Sequence, residues 1–356
     1  MINNSIEDKQ EIYLQSTPQY ITIGTHFKCN ADCVFCLGGD YPEFNIDIYK
    51  NFFEKKLGDV LRNAQHVGFC GMGEILLMPG IASFLDHINS TLEHQIKNFT
   101  TNGSPLKDDV CNKLGEGKYA VMVSLHASNA ELHKLLTNTD KYDSIIDSIR
   151  KLVEIKKKKN PILHINLVFL VSNMNVEDLP EFVKVGKQLD VDRITCNYLT
   201  IFSEDHIDMS CYFHKEKTRE IFEESQELAE KLEITLNLPP KFGNADDNAN
   251  RCNDPWEFFY VETQGSVVPC CYAGDHIGYL NKKSFEEIWN GEGYLNLRKG
   301  FIDGNPYKWC KYCTKYKLLN VDKIQSHITA RPEIREKIIG YLKCNEDKYG
   351  KIPEIY

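Results

Sequence analysis

The chain has no surplus of basic charge, no long apolar run and no basic N-terminal region leading into an apolar one, and each absence removes a class of function. Its 356 residues carry 42 Lys and Arg against 51 Asp and Glu, a formal net charge of −9. Phosphate neutralisation needs clustered Lys and Arg, so a general nucleic-acid-binding surface is not expected. The one basic block, Lys156-Lys157-Lys158-Lys159, follows Ile145, Ile146, Ile149, Leu152 and Val153 at helical spacing and reads as the solvated end of an amphipathic helix. No stretch approaches the roughly 18 uninterrupted apolar residues of a membrane span. The opening residues, MINNSIEDKQEIYLQSTPQY, lack a signal-peptide pattern. The expectation is a protein of the cytoplasm with no membrane partner. A hydrophobic fraction of 42% permits a substantial core.

What is abundant is cysteine. Thirteen is an odd and high count, and without an export signal it argues for metal or cluster ligation in a reducing compartment rather than for a disulfide framework. Three of them fall in the run Cys29-Asn30-Ala31-Asp32-Cys33-Val34-Phe35-Cys36. Three thiolates can hold three corners of a cubane and leave one iron without a protein ligand. Soft thiolates favour iron–sulfur clusters, zinc or Cu(I), and clusters normally take four cysteines, so a compact triplet with no near fourth is unusual. A zinc site or a buried cysteine cluster are the alternative readings.

Strand-like runs occur at 20–26, 66–71, 96–101, 119–126, 162–171 and 193–200, with helix-period segments between them. The first of these helices is expected to begin near Asn45, an N-cap, and to place Ile46, Tyr49, Phe53 and Leu57 along one side. Such alternation implies a parallel sheet, either doubly wound or an incomplete barrel. In either form reacting groups gather at the C-terminal strand ends, and Cys29 follows the first strand. Pro239 to Asn250 is rich in turn formers and marks a boundary. Period two places His164, Asn166 and Val168 on one strand face and Thr195 with Asn197 on another, where they either bind ligand or are satisfied internally.

The C-x3-C-x2-C spacing resembles the radical S-adenosylmethionine (SAM) superfamily. In that family the open iron binds the amino and carboxylate groups of SAM, and an electron from the 4Fe-4S cluster releases a 5′-deoxyadenosyl radical. The resemblance implies a partial (βα)6 TIM-type barrel, with Cys29, Cys33 and Cys36 as cluster ligands and Phe35 against the adenine. Gly71-Met72-Gly73-Glu74, after the second strand, resembles the motif whose backbone and acidic side chain receive the SAM amino group. Read alone, it is a βα turn with glycines that allow close backbone approach. Asn102 after the third strand, and Ser124 and His126 after the fourth, look like further family segments facing the cofactor. The arginine that many relatives place after the fourth strand is missing from His133 to Asp140.

Beyond the boundary, Cys252, Gly265 and Cys270 read C-x12-G-x4-C, and Cys310-Lys311-Tyr312-Cys313 adds a C-x2-C pair. Four thiolates from two pairs can close around a cluster or a structural zinc. With the flanking PCCY, IGYL and SFEEIW segments they resemble the SPASM and twitch domains, which implies one auxiliary 4Fe-4S cluster on Cys252, Cys270, Cys310 and Cys313. Cys271 competes with Cys270, but lies one residue too far and on the opposite face of an extended strand. The organisation expected is a core over 15–205, a helical linker over 206–244, an auxiliary-cluster domain over 245–320 and a helical tail over 321–356.

The resemblance implies an enzyme that cleaves SAM and abstracts a substrate hydrogen, in a dehydrogenation of a small, sugar-like molecule. Its electron donor would be a flavodoxin or ferredoxin. The alternative is a peptide or protein maturase of the sulfatase-maturing or cross-linking kind. A non-enzymatic metal scaffold stands third.

Overall fold

Each of the six strand-like runs contains one strand: β1 (Tyr20–Gly24), β2 (His66–Cys70), β3 (Ile96–Thr101), β4 (Tyr119–Ser124), β5 (His164–Val171) and β6 (Arg193–Tyr198). The computed structural model describes residues 11–38, 43–243, 252–271, 273, 275–307, 310, 321–329 and 331–351. Within them β1 to β6 pair in parallel in chain order, and β7 (Thr235–Asn237) adds to the edge beyond β6. The helix after β1 starts where its cap dictates: Asn45 Oδ1 accepts from Ile48 N at 2.9 Å. Tyr49, Phe53 and Leu57 are fully buried from it, and the turn over Tyr49–Glu54 is π-helical.

The two sheet faces differ as a half-open barrel requires. Ile23, Phe69, Phe99, Val121, Leu167 and Phe169 lie buried beneath the helices. The alternate residues, among them Thr100, Met122, Ser124 and Val168, are half buried and line the lumen. Register stacks them in layers, Thr100 beside Met122 beside Asn166, and Ser124 beside Val168 beside Thr195. Asn166 and Thr195 satisfy each other across the lumen face, at 3.1 and 3.2 Å. The sheet curls, bringing His206, just after β6, close to the Val34 backbone in the loop after β1. The core is thus a partial barrel of the TIM type, α/β throughout.

The auxiliary region extends the same sheet. β8 (Phe258–Val261) pairs in parallel with β1, and β9 (Ser266–Val268) and β10 (Gly278–Tyr279) follow antiparallel, completing a sheet of ten strands. Thr263 locks the join: its Oγ1 donates to Gly24 O and accepts from His26 N. Arg298, fully buried, stacks on Trp289 and donates to Pro255 O and Ile12 O, at 2.8 and 2.9 Å. Trp289 Nε1 reaches Ser16 O, and Trp256 Nε1 reaches Glu11 O. The leading residues are thereby strapped to the auxiliary region, and the buried guanidinium meets two carbonyls through Nε and Nη1 while its Nη2 is left without a hydrogen-bond partner among the described residues.

The lysine block does end a helix, Tyr142–Lys158, but its charges are engaged: Lys156 pairs with Asp192, Lys157 with Asp190 and Lys158 with Glu154. At the C-terminal side, Ile324, Ile328, Ile338, Ile339 and Leu342 form a second small core with Ile201 and Ile207. His327 sits there at 1% exposure, its Nε2 2.8 Å from Val321 O and its ring stacked on Phe242. Burial pushes its pKa down to about 4. In the unfolded chain histidine titrates near ~6.5, so between these values the unfolded state binds more protons. The stability from neutral His327 is complete above that upper value and is lost as pH falls towards the lower one. Urea unfolding at a series of pH values should show an acid slope that His327→Phe flattens, by on the order of 3 kcal/mol across the window. An unchanged slope in the variant contradicts this.

Candidate functional site

The cysteine run lies over the C-terminal end of the barrel, pinned from several sides. Asp32 N and Val34 N donate to Thr137 O and Leu136 O at the end of the helix Ala130–Thr137, at 3.2 and 3.0 Å. Asn138, left-handed at that helix end, returns a bond from Nδ2 to Asp32 O at 2.7 Å. From the end of β3, Asn102 Nδ2 reaches Asn30 Oδ1 at 2.9 Å and Cys29 Sγ at 3.7 Å. Cys29 and Cys36 are exposed and Cys33 is partly buried. Burial first, then the charges of Cys36, Cys29 and Asp32, push the Cys33 thiol up to about 12. The three sulfurs therefore lie within electrostatic reach of one another, and a bound cationic centre would relieve that repulsion. Among the described residues no His, Cys, Asp or Glu group closes on a single metal ion. The donor set present, three thiols on one loop, fits a cluster, whose cysteines bind different irons.

The loop after β2 is zipped to this one. Phe27 N donates to Met72 O at 3.0 Å, Met72 N to His26 Nδ1 at 2.9 Å, and Glu74 N to Lys28 O at 3.3 Å. So close an approach needs glycine: Gly73 has φ +92°, and a Cβ there would stand 1.6 Å from Phe27 O. Gly71 likewise leaves only 2.9 Å between a Cβ and the Thr25 backbone.

Glu74 behaves differently from the expectation that its carboxylate faces SAM. At 1% exposure it accepts from Leu76 N, Thr101 Oγ1 and Asn102 N, at 3.1, 2.9 and 2.6 Å. Burial raises its pKa to about 7, against the pull of those bonds. The carboxylate braces the end of β3 and positions Asn102, which leaves the surface of this turn to the Gly71, Met72 and Gly73 backbone.

Asn102, Ser124, His126, His133 and Thr137 line one narrow cleft together with Cys33, with a cavity volume of about 30 Å³. His126 adopts φ +61° and is held there by Asn175 Nδ2 on its carbonyl and Leu170 N on its Nδ1, both at 3.0 Å. Burial pushes its pKa down to about 3, with His133 adding to the shift. It is neutral, with its hydrogen on Nε2. Phe35 stands edge-on to this ring at 5.1 Å.

In the auxiliary region Cys310 is buried, Cys252 and Cys270 are partly buried, and Cys313 lies outside the described residues. The adjacent cysteines serve different surroundings. Cys270 acts electrostatically on the fully buried Tyr294, whereas Cys271 acts, with Cys70, on Tyr260 of β8. Gly265, at φ +88°, would bring a Cβ to 2.8 Å from Phe52. Sequence reasoning missed His26 and Tyr260. His26 closes the first strand-like run, and nothing in its spacing announced that its ring would receive Met72 N.

The sequence model of the radical SAM superfamily matches residues 24–186, and that of the SPASM iron–sulfur cluster-binding domain matches residues 252–314. A curated relative, GTP 3′,8-cyclase of Clostridium perfringens, is 26% identical over 180 residues, 49% of this chain and 53% of its own. The chain thus spans about half the length of the curated relatives it matches first. Among solved structures, anSMEcpe with bound AdoMet and Cp18Cys peptide superposes with a TM-score of 0.63 at 16% identity, covering 94% of this chain and 99% of that one. Streptococcus suis SuiB bound to precursor peptide SuiA gives 0.61 at 14% identity, covering 79% and 66%. At these identities the structural likeness is one of fold. The two matched domains, in this order and around these cysteines, make the chain a radical SAM protein with a C-terminal SPASM domain, whose cofactors are SAM and 4Fe-4S clusters.

Proposed function

We propose that this is a radical SAM enzyme that dehydrogenates a small polar molecule held in the barrel lumen, consuming one SAM per product. When bound, the cluster and SAM would supply the 5′-deoxyadenosyl radical that takes one hydrogen atom, and the auxiliary cluster would be the acceptor for the second electron as a proton leaves the adjacent hydroxyl to solvent. Cys29, Cys33 and Cys36 would hold that cluster. The Gly71, Met72 and Gly73 backbone would meet SAM, Phe35 would lie against its adenine, and Asn102, Ser124 and His126 would offer it polar atoms. The observation that carries the reading is the convergence of Cys33 with Asn102, Ser124 and His126 on one cleft at the open end of the barrel. A small substrate is supported by polar groups on the lumen face, half-buried Thr100 in the layer of buried Asn166 and half-buried Thr195 in the layer of Ser124. The name of the curated relatives adds a hydroxyl-bearing nucleotide to the sugar-like candidates.

The test follows SAM, 5′-deoxyadenosine and substrate mass together, under dithionite or reduced flavodoxin, with amino sugars, polyols and GTP as candidates. A product lighter by two hydrogen atoms, formed one for each SAM, is expected. A product of unchanged mass, or turnover of peptides alone, overturns the reading.

For the auxiliary cluster the ligands would be Cys252, Cys270, Cys310 and Cys313. Cys270→Ala should lose about half of the iron, while Cys271→Ala keeps it, as iron analysis and absorbance near the thiolate-to-iron bands would read. The reverse result moves the ligand by one residue.

A further inference from the structure

We propose that Arg331 receives an anionic group of the substrate, a phosphate or a carboxylate, at the rim of the lumen between the ends of β1 and β6. The proposal rests on the reading above for there being a substrate in the lumen. The chain reaches this place along β6. Ile201 N donates to His327 O at 2.7 Å, Thr329 N to Ile201 O at 3.1 Å, and Ile201 pairs with Ile328 in parallel. A parallel segment travels in the direction of the barrel strands, so it emerges at the end where the reacting groups gather. Arg331 stands just beyond that bridge.

The backbone that carries it is fixed. Arg335 Nη1 donates to the carbonyls of Gln325, Ile328 and Thr329, at 3.0, 3.1 and 3.3 Å. Arg331 N donates to Thr329 Oγ1 at 3.3 Å. The Arg331 side chain is exposed, and among the described residues no carboxylate pairs with it. Its charge nevertheless reaches inward. His26, buried at the end of β1, has its pKa lowered first by desolvation and then by Arg331, against the opposing influence of Glu262. His26 is the residue that receives Met72 N, so the charge of Arg331 acts on a group beside the turn carrying Gly71 and Gly73.

Other charges near this rim are already engaged. Lys28 pairs with Glu43 at 3.1 Å, Lys215 with Asp322 at 3.6 Å, and Glu262 accepts from Ser266 and faces His276 at 2.9 Å. The cleft containing Asn102 and Ser124 is lined by neither lysine nor arginine, and it opens between β3 and β4. In a sheet ordered β1 to β6 and curled on itself, that position is opposite the β1/β6 rim. Arg331 therefore faces the lumen from across the cofactor cleft, where the far end of a substrate would lie. A guanidinium offers a planar fork of donors suited to the oxygens of a phosphate or carboxylate.

The test uses the full, cluster-loaded chain with SAM bound, titrated calorimetrically with inorganic pyrophosphate and, separately, malonate. At least one anion should bind, and Arg331→Ala should weaken it by about tenfold while Arg331→Lys retains part of the affinity. Preference for pyrophosphate marks a phosphate site, and preference for malonate a carboxylate site. SAM affinity, titrated on the same variants, should change less than twofold. Three results overturn the proposal: neither anion binds the native chain, both bind Arg331→Ala as well as the native chain, or Arg331→Ala loses SAM affinity tenfold instead. The titrations need no turnover. Anion binding lost in Arg331→Ala, in a chain that dehydrogenates nothing, would leave this site standing and remove the dehydrogenase reading.

Discussion

Replacing Cys29, Cys33 and Cys36 together by alanine is expected to leave about four of about eight irons per chain and to abolish reductive SAM cleavage. The thiols sit on a loop that Thr137, Leu136 and Asn138 hold in place through backbone groups, so the loop should survive loss of the sulfurs. Cys252, Cys270 and Cys310 lie outside that loop, Cys252 before β8 and the other two beyond β9, so the auxiliary site should keep its iron. Activity and half of the iron are therefore lost together while the fold stays. A triple variant that still released 5′-deoxyadenosine under dithionite would show that the cofactor site lies elsewhere.

Gly73→Ala should be nearly as severe, for a different reason. A Cβ 1.6 Å from Phe27 O is a hard overlap with backbone, which no side-chain rotation relieves. The positive φ of +92° adds strain of about 1–3 kcal/mol for a residue with a side chain. The loops after β1 and β2 must separate, breaking the bonds Phe27 N to Met72 O and Glu74 N to Lys28 O. Backbone groups meant for SAM then move, while Cys29, Cys33 and Cys36 keep their loop. The expected outcome is first-cluster iron retained and SAM affinity down by more than tenfold in a spectroscopic titration. Unchanged affinity would mean that this turn does not meet SAM.

These expectations rest unequally on the sequence. The six strands were legible because each is long enough to show its composition and flanking turns, and the Asn45 cap because one side chain decides it. In SFEEIW, read only as a segment resembling a SPASM flank, Ser284 and Glu287 form a reciprocal capping box. β8 to β10 were not legible as parts of the core sheet, since strands of two to four residues show no period and the pairing of β8 with β1, through which β9 and β10 join the sheet, is decided over a long stretch of chain. The cysteine spacing was visible, yet what steadies the loop, the Asn102 and Asn138 side chains, becomes neighbouring only through the parallel order of the strands. Glu74 read as a ligand-facing acid because sequence shows only that a carboxylate follows two glycines. Whether it turns outward or under the loop depends on the donors of Thr101 and Asn102, supplied by the next strand. Arg331 carried no signal, because its place on the rim is set by the Ile201 to Ile328 bridge.

The central claim is that Cys29, Cys33 and Cys36 hold a cluster that reduces SAM. It is tested most directly by anaerobic reconstitution of the native chain, reduction with dithionite, and quantification of 5′-deoxyadenosine and methionine alongside the electron paramagnetic resonance of the reduced protein. The account predicts equal amounts of the two products and a cluster signal that shifts when SAM is added. A chain loaded with its full iron that releases neither product, and whose signal SAM leaves unaltered, would contradict it.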